Sequence, residues 1–145
     1  MKAAELYDTD FAEWALRNAE LLRSGRTGEA DLEHIAEEIE DMAKRERDAT
    51  RRRLARLIQH LLKWQVQPAK RGKSWQRTIV EQRYRISDLL KENPSFRPRM
   101  NDWIAEEYDH AVRLATIDTG LERDHFPKAW PYTVEQSLDQ DFLPE

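Results

Sequence analysis

The chain contains no cysteine, which excludes disulfides, thiolate metal sites and cysteine nucleophiles. It has only four glycines in 145 residues, and none falls in a P-loop, a Gly-x-Gly-x-x-Gly turn or a Gly-x-Ser-x-Gly elbow. Backbone loops that cradle phosphate need glycine for close approach, so a nucleotide-binding enzyme is not expected. No stretch approaches the ~20 apolar residues that a membrane-spanning helix needs. The N-terminal MKAAELYDTDF carries one lysine and no apolar run, unlike a secretory signal. These absences predict a cytoplasmic protein with no membrane partner and no cofactor. A chain of this length fits one domain over residues 1–145, able to bury roughly 68–70% of its unfolded surface.

Charge, by contrast, is plentiful and unevenly placed. Lys, Arg, Asp and Glu make up 36% of the residues for a net value of only −4. Residues 1–42 carry four cations and twelve anions, residues 43–85 fourteen and three, and residues 86–145 six and thirteen. An acidic–basic–acidic chain either neutralises itself in the fold or presents its basic block to an outside polyanion.

The hydrophobic pattern has helical period throughout and no strand-like alternation. A first helix is predicted from about Thr9 to Ser24, capped by Asp8 or Thr9 and closed by Gly25. Its apolar stripe of Phe11, Trp14, Ala15, Leu21 and Leu22 is interrupted by Asn18. A second starts near Asp31 and meets no proline or glycine before Pro68. Leu32, Ile35, Ile39 and Met42 repeat at helical spacing, then KRERDATRRR (44–53) offers only Ala49, and periodicity returns from Leu54 to Trp64. This segment is either one helix of roughly 55 Å or two helices broken near residues 45–50. A third helix is expected from Ser74, as N-cap, to Asn93 before Pro94. A fourth is expected from Ser95 to Gly120, with Pro98 in its first turn. Thr133 and Gln136 have capping-box spacing for a short helix at about 134–139. The predicted fold is all-α: a bundle of four main helices, one of them long and central. A C-terminal tail packs Phe126, Trp130, Tyr132 and Phe142 across it.

The series YDTDFAEWALRNAELLRSG, LEHIAEEIEDM, HLLKWQVQP with SWQRTI, ENPSF, TGLERDHFP and PYTVEQSLDQDFLP resembles the bacterial family called domain of unknown function 29. The likeness runs over nearly the whole chain in order. It implies a small helical protein of bacterial cytoplasmic origin and carries over no catalytic residues.

Three constellations bear on function. Glu107-x-x-His110 and Asp31-x-x-His34 echo the Glu-x-x-His pairs of metal-binding bundles. The second pair has the shorter carboxylate and lies in a first helical turn, and the family pattern often has asparagine where this chain has His34. The next is the basic segment 51–85. There Lys63, Lys70, Arg71, Lys73 and Arg77 could follow a phosphate backbone while Trp64 and Trp75 stack bases. The whole-chain pI of about 5.7 is low for such a role. Third, HLLKWQVQPAKRGKSWQRTI (60–79) reads as a structural corner: Pro68 stops one helix, Gly72 turns the chain and Ser74 starts the next. His60, Trp64, Gln65 and Gln67 would be its anchors, with His60 and Gln65 hydrogen-bonded in the core and Gln67 and Arg71 closing carbonyls at the helix end.

The favoured expectation is a non-enzymatic protein-interaction or adaptor module, self-associating through the long charged helix or binding another protein. A nucleic-acid-associated protein using residues 51–85, with Lys63, Lys70, Arg71, Lys73, Trp75 and Arg77 as its surface, is the alternative. A carboxylate–histidine metal bundle comes third.

Overall fold

The computed structural model describes residues 2–145, and six α-helices lie among them. They are α1 (Ala3–Thr9), α2 (Phe11–Arg23), α3 (Leu32–Val66), α4 (Lys73–Glu92), α5 (Met100–Thr119) and α6 (Val134–Leu138). Short 3-10 turns occupy residues 27–29, 68–70, 94–99 and 123–125, and no strand occurs among the described residues. The all-α bundle with a long central helix is therefore the observed fold. The chain forms two compact units, Met1–Arg45 and Glu46–Glu145, and α3 contributes to both.

In the first unit, the helix expected from Thr9 starts later, because Asp10 rather than Asp8 or Thr9 caps it. The Asp10 side chain accepts from the Glu13 amide at 3.0 Å, and its extended backbone (φ −154°) separates α2 from α1. Helix α1 has too little apolar sequence to stand out, yet Ala3 and Leu6 give it a buried edge. Helix α2 buries Trp14, Asn18 and Leu21, and Gly25 follows its end at φ 77°, a conformation that favours glycine.

Asn18 does not interrupt the stripe. It is the tie between α2 and α3. Its amide donates to the Trp14 carbonyl at 2.8 Å, and its oxygen accepts from the Asp31 backbone N–H at 2.8 Å. Asp31 caps α3 and is shared further: its carboxylate accepts from the Trp14 indole at 2.9 Å and pairs with His34 Nδ1 at 2.6 Å. Burial works against the Asp31 charge, but these bonds hold its carboxyl below the ordinary aspartate value, and the same pairing raises His34. Tyr7 packs edge-on against His34, with ring centroids 3.9 Å apart, and donates its hydroxyl to Glu38. That bond, with burial and further acids behind it, pushes the phenol up to about 12.

The second unit is organised by the C-terminal half of α3. Leu54, Leu57, Ile58, Leu61 and Leu62 are all completely buried. They form one core with Ile79, Ile86 and Leu90 of α4 and with Met100, Trp103, Tyr108 and Val112 of α5. Helix α4 begins at Lys73, with extended Gly72 as its cap, so Ser74 lies inside the first turn instead of capping it. The Gly72 carbonyl already accepts the opening bond, from Gln76 N–H at 3.1 Å. Ser95 does not start α5 either. Pro94 and Pro98 both lack an N–H, which suits a 3-10 turn over Pro94–Arg99, and α5 begins only at Met100. Gly120 closes α5 at φ 72°.

In the tail, Phe126 is buried, Trp130 packs against the core, and Tyr132 meets Trp130 and Phe142 edge to face, each at 5.1 Å. Thr133 and Gln136 form the capping box of α6.

Asp31→Ala removes a helix cap and leaves the Trp14 indole N–H unpaired. It should destabilise the protein by about 2 kcal/mol in urea titration, with Asp31→Asn losing less because the cap survives.

Candidate functional site

The corner between α3 and α4 is built mostly from polar groups that are already occupied. His60 is buried and its Nδ1–H donates to the Arg56 carbonyl at 2.9 Å; burial pushes its pKa below the usual histidine range. Trp64 lies partly buried against the core, and its carbonyl in the last turn of α3 accepts from Arg71 Nε at 2.7 Å. The Arg71 guanidinium sits 5.2 Å from the Trp64 ring centroid. Gln67 reaches the Thr119 carbonyl at the end of α5, at 3.4 Å, instead of closing its own helix. Gln65 departs from expectation, since its Oε1 is buried with no hydrogen-bond partner. Pro68 opens the 3-10 turn and Ser74 is exposed.

Lys63 is not a surface cation. Only 9% of it is exposed, its ammonium pairs with Asp118 at 3.1 Å, and it lies 5.0 Å from the Trp75 ring centroid. One face of each indole at this corner is therefore covered by a cation of the same chain, which leaves a poor platform for stacking bases. Lys70, Lys73 and Arg77 are exposed.

The basic block is partly neutralised by α5. Arg51 pairs with Glu106 at 2.8 Å and with Glu107 at 2.9 Å, and Lys63 with Asp118. This pairing engages Glu107 of the Glu-x-x-His spacing with an arginine. In the other pair, Asp31 and His34 are bonded to each other, and Asp31 also to Trp14. Among the described residues no three histidine, aspartate or glutamate side chains converge as a metal site.

The first unit presents a different surface. Leu32, Ile39 and Met42 are 53%, 61% and 59% exposed, and Ile35 is half-buried between them. The spacing of 32, 35, 39 and 42 is that of the a and d positions of a heptad. Asp31 bonds to Trp14 of α2, Glu38 to Tyr7 of α1, and His34 packs edge-on against the Tyr7 ring, all of them roughly 60–120° around the helix from the middle of this stripe. Glu38 and Arg45 flank the stripe on one side, and Ala36 and Ala43 on the other. Nothing in the periodicity distinguishes this stripe from a core-facing one; only the placement of α1 and α2 does.

The family model described as Domain of unknown function DUF29 matches residues 6–143. No curated protein matches the chain. No solved structure matches it. No helix among the described residues is long and apolar enough to cross a membrane.

Burial opposes the Asp118 charge, but the Lys63 ammonium and the Gln59 amide together hold its carboxyl below the ordinary value. A group depressed in this way contributes stability above its unfolded pKa, near 3.9, and loses it as pH falls through the folded value. Asp118→Asn should therefore destabilise the protein at pH 7, and its gap to wild type should close below about pH 4 in acid-unfolding curves.

Proposed function

The chain belongs to the family of domain of unknown function DUF29, and we propose that it acts in that family as a non-enzymatic interaction module that pairs with a second copy of itself through α3. The observation that carries this reading is the exposed stripe of Leu32, Ile39 and Met42 at heptad spacing. Contiguous apolar surface rimmed by charge is the usual mark of a docking face. Asp31, His34 and Glu107, three of the four residues in the two metal-like spacings, are engaged in bonds within the fold, which favours interaction over catalysis.

Charge decides the direction of pairing. In an antiparallel pair Ile39 lies opposite Met42 of the second copy and Met42 opposite its Ile39. Each Glu38 then faces an Arg45, and Ala36 faces Ala43 across the other rim. A parallel pair would set Glu38 against Ala43 and lose both charge pairs.

Sedimentation equilibrium over a concentration series tests this. Wild type should dimerise, and Ile39→Glu should remain monomeric. Arg45→Glu should weaken pairing about tenfold, with part of the loss recovered when combined with Glu38→Arg, which also gives up the Tyr7 bond. A monomer at every concentration, or a double variant no tighter than the singles, contradicts the reading.

One observation favours a second reading, nucleic-acid association through residues 51–85. Lys70, Lys73 and Arg77 are exposed on one corner, and no carboxylate among the described residues pairs with them. This reading requires oligonucleotide affinity that falls steeply with salt and is lost in Lys70→Glu/Lys73→Glu/Arg77→Glu. Salt-independent or unchanged binding excludes it.

A further inference from the structure

The second unit contains an open cleft of about 500 Å³ whose walls come from α3, α4 and α5. Its size lies in the range of small-molecule sites, roughly 300–1,000 Å³. Helix α3 supplies Arg52, Arg53 and Arg56, α4 supplies Gln82, and α5 supplies His110. We propose that this cleft binds a small organic phosphate monoester.

The charge layout supports the anion. Arg52 and Arg56 are four residues apart and so stand one above the other on the helix, where like charges repel. Both are exposed, and among the described residues no carboxylate pairs with either. The one acidic residue of the lining, Glu107, accepts from Arg51 at 2.9 Å and is committed there. Arg53 donates to Gln82 Oε1 at 3.2 Å, which fixes one wall. A dianion seated between Arg52 and Arg56 would relieve their repulsion, and guanidinium forks match phosphate oxygens two at a time. The grip comes from side chains, consistent with a chain that lacks glycine-rich phosphate loops.

The organic part follows from the remaining walls. Ala49, Ala55 and Leu114 give the cleft an apolar side that inorganic phosphate cannot use. No tryptophan, tyrosine or phenylalanine among the described residues lines it, and the single imidazole of His110 gives it no run of rings on which successive bases could stack. The geometry thus favours one small phosphorylated molecule over a nucleic-acid backbone.

The test is a titration with phenyl phosphate and with inorganic phosphate at fixed ionic strength, followed by NMR of the arginine Nε–H and glutamine side-chain signals. The expected result is saturable shifts at Arg52, Arg53, Arg56 and Gln82, with phenyl phosphate binding more tightly than inorganic phosphate. Arg52→Gln/Arg56→Gln should weaken binding at least about tenfold, while Lys70→Gln/Lys73→Gln, which removes the same charge elsewhere, leaves it unchanged. Both arginines are exposed, so the variant should keep wild-type backbone spectra. Three results would overturn the proposal: no saturable shift, equal loss in the two variants, or a single-stranded oligonucleotide displacing phenyl phosphate from these signals at lower concentration.

Discussion

The continuity of α3 through KRERDATRRR is the constraint on which the rest of the structure depends. Ten residues with a single alanine to offer a core remain helical, so one element supplies both the exposed stripe of the first unit and the buried leucines of the second. Three physical causes make this stretch tolerable as helix. Lysine, arginine, glutamate and alanine are good helix formers. Thr50, completely buried, returns its hydroxyl to the Glu46 carbonyl at 2.8 Å, so it brings no unpaired polar group inside. Arg51 is met by two glutamates of α5. Pairs as partly covered as these contribute on the order of 1 kcal/mol or less each, so their main effect is to place α5 and to consume charge.

The distribution of charge then separates structural cations from available ones. Lys63 and Arg83 are buried: the first has a carboxylate partner, while the second donates from Nε to the Ser137 carbonyl at 2.8 Å and keeps a buried Nη2 without a partner. Burial lowers the Arg83 pKa from its very high starting point, and the Asp139 charge opposes the shift. What remains outside is a group of arginines on α3 and a group of cations at the corner. The two groups differ in surroundings, a walled cleft for one and an open turn for the other, and that difference separates the ligands argued for each.

Local chemistry explains why some of this is legible in the sequence. Asp31 before Leu32, glycines at 25 and 120, and Thr133 with Gln136 are signals that act within a few residues, and the structure uses each one. Arg71 is expected to close a carbonyl at the end of α3, and it does so at Trp64. The features that escape a sequence reading depend on partners distant in the chain. Asn18 looks like a flaw in an apolar stripe until Asp31 is brought beside it. Lys63 looks like a surface cation until Asp118 arrives from α5. The 3-10 turn at Pro94–Arg99 reads as a helix start because Ser95 and Pro98 are good first-turn residues, and only the two prolines together decide otherwise. The stripe on α3 is visible as a period, but whether a period faces a core or solvent is a tertiary property.

That stripe carries the central claim, and the absence of native cysteine permits a direct test of it. Two single-cysteine variants, Ile39→Cys and Met42→Cys, are mixed under mild oxidation and the covalent dimers are quantified. Antiparallel pairing predicts that the heterodimer, crosslinked from position 39 of one variant to position 42 of the other, forms faster than either variant crosslinks to itself. Equal rates, or self-crosslinked dimers forming faster than the mixed one, would contradict the account.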